Sequence, residues 1–314
     1  MARRGELRNR LEYALVRSLT GSLGLLPRPV SIWAARMLGR AACAALGRLR
    51  RIAERNLLIA FPEISEQERR KILIGSFDHL GRQLGEFAYL RRATAASLGK
   101  IAEYDAESLR RLEAAQEPGK GTIFVTAHLG GWEILALAHS ALYGPLSILA
   151  RPIENPRIDR FVHECRSRFG NVIVDKKSAG LTCMRILRKG GTLGILADLN
   201  SLPQEGVFVP FFGKLACTTL AVAALALPSN ATVFPVFAPW NPALRKYVFQ
   251  GGPAIEMLRT GDHERDLGAN TARVTAVIER VIRQYPDQWL WIHDRWHALL
   301  RPGDRVCEEL PQLQ

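Results

Sequence analysis

From Gly121 to Gly252 short, continuously apolar runs alternate with longer stretches of helical periodicity. The runs Gly121–Thr126, Leu146–Ala150, Asn171–Val174 and Gly191–Ala197 predict strands. Helices are predicted between them over Trp132–Leu142, Pro156–Arg168 and Ala179–Lys189. Lys214 and Arg245 then bracket thirty uncharged residues, which Pro228, Ser229, Asn230 and Pro235 divide into a helix Leu215–Leu227 and a strand Ala231–Ala238. A further strand is predicted between Arg245 and Gly252, a long helix over Leu267–Tyr285, and a short strand around Trp289-Leu-Trp291-Ile. Strands apolar on both faces and separated by helices predict an α/β fold: one mixed, largely parallel sheet covered by helices on both sides.

The N-terminal pattern is different. Leu11–Leu26 is apolar but interrupted by Glu12 and Arg17, too short and too broken to cross a bilayer comfortably. Ile32–Arg55 reads as one amphipathic helix with Arg36, Arg40, Arg48, Arg50, Arg51 and Arg55 along one side and Leu38, Ala42, Leu46, Leu49 and Ile52 along the other. Residues 1–55, beginning with Arg3 and Arg4, hold twelve arginines, no lysine and three glutamates, so +9 of the chain's net +13 lies there. Such a segment suits an anionic lipid surface, with the arginines at headgroup level. The expected organisation is therefore a basic helical membrane-association segment, 1–55, followed by an α/β domain, 56–314. The competing expectation is that the apolar face packs on the protein's own core.

Composition narrows the class. With 314 residues, 47% hydrophobic and 23% charged, the chain has material for a large core, and wholesale disorder or a disulfide scaffold is excluded. The five cysteines are scattered without a C-x-x-C pair, and His293 and His297 lack a third ligand at useful spacing, so no metal site is predicted. No flavin or nucleotide motif implies an organic cofactor.

The segment Gly121–Leu137 carries the candidate chemistry. A strand runs into His128, Gly130 and Gly131 permit a tight turn, and Trp132-Glu133 open a helix. On one continuous helix His128 and Glu133 would stand about 140° apart, but across a strand-turn-helix junction they can meet. A carboxylate holding one imidazole nitrogen leaves the other free to take a proton. No G-x-S-x-G elbow or neighbouring cysteine offers a nucleophile, which points to direct transfer onto an acceptor hydroxyl.

His128-Leu-Gly-Gly-Trp-Glu133 resembles the H-x-x-x-x-[DE] motif of the bacterial lipid A late acyltransferases and of the wider glycerolipid acyltransferase superfamily. Other segments resemble that family in order: Arg55-Asn56-Leu57, Arg151-Pro-Ile-Glu-Asn155-Pro, Arg166-Ser-Arg168-Phe-Gly170, Asp198, Val207-Phe-Val-Pro-Phe-Phe-Gly213 and Tyr285–Trp296. The resemblance implies transfer of a fatty acyl chain from an acyl-carrier-protein or coenzyme A thioester to a glycolipid hydroxyl at the cytoplasmic face of a bacterial inner membrane. It implies His128 as base, Glu133 as its orienting partner, and Arg166 and Asp198 as further catalytic residues. Arg151, Asn155 and Arg168 would contact substrate, and the amides of Gly130 and Gly131 would be available to an oxyanion.

Alternatives are an acyltransferase acting on a phosphatidylinositol mannoside-like glycolipid or a lysophospholipid, and a membrane-associated structural protein. A nucleic-acid module built on Trp289, Trp291, Trp296 and Arg295 is disfavoured, because the basic N-terminus is rich in Leu and Ala with little aromatic interleaving.

Overall fold

The computed structural model describes residues 5–175 and 179–307, leaving Arg3 and Arg4 outside the described residues. Five helices come first: α1 (Glu6–Leu25), α2 (Arg28–Ala45), α3 (Gly47–Ala60), α4 (Glu66–Leu90) and α5 (Ala95–Gly99). The sheet region follows as β1 (Ala102–Tyr104), α6 (Ala106–Ala115), β2 (Thr122–Thr126), α7 (Trp132–Leu142), β3 (Ser147–Ala150), α8 (Pro156–Arg166), β4 (Val172–Asp175), α9 (Ala179–Arg188) and β5 (Thr192–Leu196). The chain continues through β6 (Gly206–Phe211), β7 (Lys214–Thr219), α10 (Ala221–Ser229), β8 (Thr232–Phe237), β9 (Trp240–Asn241), β10 (Lys246–Gly251) and α11 (His263–Gln284).

The main sheet has the order β1-β10-β8-β2-β5-β3-β4, with β9 added at β10. Pairings from β8 through β4 are parallel, and β10 meets β8 antiparallel. The α/β class and the mixed, mostly parallel sheet are therefore as the apolar runs predict. Burial explains those runs. Ile123 and Val125 of β2 join a core with α9, α10 and α11, while Phe124 between them joins the opposite core with α7. Neither face meets water, so the strand needs no polar alternation.

Two expected elements are corrected. Leu215–Leu227 is not one helix: Lys214–Thr219 pairs antiparallel with β6, and the helix begins only at Ala221. Phe212 (φ 52°) and Gly213 (φ 71°) form the two-residue left-handed turn that matches the twist of a hairpin. Trp289–Ile292 is not a strand either. Trp289 makes one isolated bridge to Leu129, and the backbone then turns, burying Trp289 against Trp291 edge to face, with ring centres 4.6 Å apart.

The segment Ile32–Arg55 is likewise two helices, broken at Leu46 (φ −92°, ψ 68°). Helix α2 crosses α4 at small residues. A Cβ on Gly81 would lie 2.3 Å from the Ala35 carbonyl, and one on Gly39 would lie 2.2 Å from the Phe77 carbonyl. Ion pairs flank the crossing: Arg28 with the buried Glu86, and Arg36 and Arg40 with Asp78. Part of the arginine stripe thus faces the protein's own carboxylates, while Arg48 and Arg51 remain exposed. Along α1, Leu7, Leu11 and Leu15 are 63–72% exposed at four-residue spacing and form one apolar stripe, with exposed Leu25 and Trp33 beyond it. Among the described residues no helix is long and apolar enough to cross a membrane.

Candidate active site

Strands β2 and β5 are parallel neighbours, with Thr126 opposite Leu196. The residues two positions beyond, His128 and Asp198, therefore emerge side by side at the carboxyl end of the sheet, where open α/β sheets place their ligand crevices. His128 Nδ1 lies 2.9 Å from Asp198 Oδ1, and the His128 backbone amide donates to Oδ2 at 2.9 Å. The indole of Trp289 donates to Oδ2 as well, at 2.8 Å. Burial alone would raise the Asp198 carboxyl, but the imidazole and these three hydrogen bonds hold it below its ordinary value. An ionised Asp198 fixes the ring proton on Nδ1 and leaves Nε2 as the acceptor. Nε2 has no hydrogen-bond partner among the described residues, and the side chain remains 23% exposed.

Glu133 is not the residue that holds the imidazole. Its carboxylate is clasped by Arg166, with Nε at 3.0 and 3.2 Å and Nη2 at 2.5 Å. Guanidinium matches carboxylate as a two-pronged fork, so the first turn of α7 and the last turn of α8 are locked together. Burial opposes the charge of Glu133, yet Arg166, with His128 adding to it, keeps the carboxyl below its usual range. Arg166 Nη1 is engaged by no described residue. Buried Cys165 is adjacent in sequence, but burial pushes its thiol up to about 12, which makes it a poor nucleophile at neutral pH.

The turn between these two pairs is fixed by its surroundings. Gly130 has φ +59°, and a Cβ there would sit 2.1 Å from the Ala238 carbonyl. A Cβ on Gly131 would sit 2.6 Å from the Tyr247 ring. Both amides, expected to be available to an oxyanion, are already committed: Gly130 donates to Gln288 at 3.0 Å and Gly131 to Ala238 at 2.7 Å. Wedged between the end of β8 and the C-terminal segment, this backbone must pair its N–H groups internally.

Three expected substrate contacts separate. Asn155 is buried with its side chain fully occupied: it caps α8, accepting from the amides of Arg157 and Ile158, and its Nδ2 donates to the Asn9 carbonyl and to Glu12. Arg168 binds the carbonyls of Leu90 and Ala93, tying down the end of α4. Arg151 alone stays open at the end of β3, 63% exposed and 3.8 Å from Glu205.

Other residues complete the site, and of these only His79 carries no distinct signal in the sequence. His79 of α4 is buried beneath the turn with Nε2 3.1 Å from the Gly130 carbonyl, and burial pushes its ring down to about 4. Trp289 and His293 close over Asp198, and the His293 ring accepts from the Asn200 amide at 3.2 Å. Asn56 of α3 anchors that segment by donating to the carbonyls of Trp291 and His293, beside an Arg55–Asp294 ion pair.

The sequence pattern of the bacterial lipid A biosynthesis acyltransferases matches residues 5–298. Among curated relatives, an Escherichia coli K12 lipid A biosynthesis lauroyltransferase is 28% identical over 279 residues, 86% of each chain. A palmitoleoyltransferase of the same organism is 26% identical over 273 residues, again 86% of each. A phosphatidylinositol mannoside acyltransferase of Mycolicibacterium smegmatis is 23% identical over 223 residues, 68% of this chain and 70% of that one.

Proposed function

The chain belongs to the bacterial lipid A biosynthesis acyltransferase family, and from that premise we propose that it moves a fatty acyl chain from an acyl-carrier-protein or coenzyme A thioester to a glycolipid hydroxyl. The acceptor we infer is the 3-hydroxyl of a fatty chain on a lipid A precursor of the Kdo-lipid IVA type. The observation that carries this reading is His128, oriented through Nδ1 by a buried carboxylate and presenting Nε2 at the carboxyl end of the sheet.

In the proposed reaction Nε2 takes the proton of the acceptor hydroxyl as its oxygen attacks the thioester carbonyl. Asp198 keeps the tautomer and stabilises the imidazolium that forms. The tetrahedral intermediate collapses by expelling the donor sulfur, which recovers the proton from His128. With the glycine amides already paired, Arg166 supplies positive charge toward the oxyanion or a substrate phosphate, and Glu133 holds that guanidinium in place. Arg151 at the mouth suits an anionic part of either substrate. No covalent acyl-enzyme is involved in this scheme.

The exposed stripe Leu7, Leu11 and Leu15 supports α1 lying on a lipid surface; that this surface is the inner membrane's cytoplasmic face is part of the proposal. The test incubates purified protein with tetra-acylated lipid A precursor, with and without its inner sugars, and a panel of acyl-carrier-protein and coenzyme A donors, reading products by mass. A mass gain of one acyl chain is expected. Acylation of phosphatidylinositol mannoside or lysophospholipid alone would move the acceptor, and acylation of none would overturn the reading.

A further inference from the structure

A second buried ion lies behind the His128–Asp198 pair. Arg295 is 0% exposed. Its Nη1 donates to the Cys217 carbonyl at 2.7 Å and its Nη2 to Thr218 Oγ1 at 2.5 Å, both on β7. The guanidinium carbon stands 4.8 Å from the centre of the Phe211 ring, and Nε meets no acceptor among the described residues. The Ser201 amide donates to the same Cys217 carbonyl, so the chain leaving Asp198, strand β7 and Arg295 converge on one oxygen.

No carboxylate of the described residues bonds Arg295, although a guanidinium without a counter-charge is costly to bury. The buried carboxylate on its far side is Asp198: the Phe211 ring under the guanidinium packs edge to face on Trp289, ring centres 5.8 Å apart, and the Trp289 indole donates to Asp198. Burial lowers the guanidinium to about 10 and Asp198 opposes that fall, so the group stays charged at neutral pH. Asp294 is paired with Arg55, and Asp304 accepts the Arg301 amide.

The count of charges has a consequence for the base. With His128 neutral, Asp198 and Arg295 sum to zero. Without Arg295 the imidazole would face an uncompensated buried carboxylate, which favours a proton on the ring, yet a general base must start without one. The other groups facing His128 are Glu133 with Arg166 behind it, His293 and the Trp132 ring, 5.4 Å away centre to centre. We propose that Arg295 is a positioning residue of the acyl transfer, whose buried charge balances Asp198 so that Asp198 orients His128 without holding it protonated at neutral pH. The inference rests on His128 being the base.

The experiment compares full-length wild type with Arg295→Met and Arg295→Lys, reading kcat/KM against pH and the ring titration of His128 by NMR. In Arg295→Met the acid limb is expected to move to higher pH, and the His128 ring titration with it, because loss of a nearby positive charge favours the protonated ring. Arg295→Lys keeps the charge and should leave both near the wild-type position. A loss of rate equal at every pH, with the midpoint unmoved, would reduce Arg295 to a structural role, and an equal shift in Arg295→Lys would show that charge is not the cause. The NMR titration needs no substrate, so a wild type that acylates nothing counts against the acyl-transfer reading, whereas an unmoved His128 counts against Arg295. Should Arg295→Met fail to fold, Asp198→Asn/Arg295→Met restores the charge balance and is expected to fold and melt higher than Arg295→Met alone. A double variant no more stable than the single one would overturn the proposal.

Discussion

Asp198 accepts both the ring Nδ1 and the backbone amide of His128, so one carboxylate fixes the imidazole and the strand end that carries it. The arrangement follows from the register of β2 against β5. Asp198→Asn is close in shape but presents an amide donor or a weaker acceptor to Nδ1, favouring the wrong tautomer. Turnover in the acylation assay should fall by about 10²–10⁴-fold, and the melting temperature should fall too, because the buried Arg295 keeps its charge while Asp198 loses its own. Near wild-type turnover would remove Asp198 from the mechanism.

Glu133 and Arg166 form a mostly buried pair, with side chains 14% and 21% exposed. Glu133→Gln strands a guanidinium in that environment, so stability should drop by about 3–5 kcal/mol, the cost of breaking such a pair from one side. Glu133→Gln/Arg166→Gln should regain much of the stability and none of the activity. Urea midpoints and turnover, measured on all three proteins, separate pairing from catalysis. Recovery of turnover in the double variant would show that Arg166 does not act on the substrates.

The sequence made β2 and α7 legible because a five-residue apolar run ends at His128 and two glycines precede Trp132. What it concealed was partnership. Glu133 lies five residues from His128 and suggests a neighbour, whereas Asp198 is seventy residues away and meets His128 only through strand order. The hairpin β6–β7 was hidden for another reason: Leu215–Thr219 is as uncharged as the helix after it, and only Leu220, which breaks no pattern, separates the two. Asn155 and Arg168 stand in segments shared with the family, but their side chains hold helix ends, a distinction that motif position does not carry. Helix α4, which supplies His79, drew no reading, since its mixed polar face offers no chemical signature.

Two buried histidines predict an acid-sensitive fold. Burial pushes both His79 and His139 from 6.5 down to about 4. A folded pKa below the unfolded value means that the unfolded chain takes up protons first. Their contribution is complete above about pH 6.5 and is lost as pH falls toward 4, at a total of a few kcal/mol. His293, also lowered, adds in the same direction. The carboxyls of Asp198 and Glu133 are held down, so their contribution is lost only as pH falls below the ordinary carboxylate range, and the window from 6.5 to 5 belongs to the histidines. Urea midpoints across that window should decline, and a flat profile would contradict the burial of His79 and His139 as neutral rings.

At the crossing of α2 and α4, Gly81→Ala forces its new methyl against the Ala35 carbonyl and Arg36 Cα. Overpacking of this kind costs about 1–3 kcal/mol, and it also spreads the helices that carry Arg36 and Asp78. Gly180 in α9 has nothing within 4 Å of a built Cβ. There Gly180→Ala should be neutral or stabilising by about 0.5–1 kcal/mol, because alanine loses less backbone entropy in a helix. Thermal melts of both variants test whether α2 is an integral part of the packed molecule.

The stripe on α1 makes the membrane reading testable residue by residue. Leu7, Leu11 and Leu15 are exposed by 72%, 63% and 70%, so they contribute little to the fold and are open to lipid. If each buries part of its surface in the headgroup boundary for about 1 kcal/mol, Leu7→Gln/Leu11→Gln/Leu15→Gln should weaken partitioning onto anionic vesicles by about 10²-fold. Its melting temperature without lipid should not change. Binding by the wild type should also weaken with salt, because the basic N-terminal segment adds attraction that ions screen. A triple variant that sediments with vesicles as well as the wild type, yet is released by salt, would assign attachment to exposed arginines such as Arg48 and Arg51. A wild type that remains in the supernatant with anionic vesicles would remove α1 as a membrane contact.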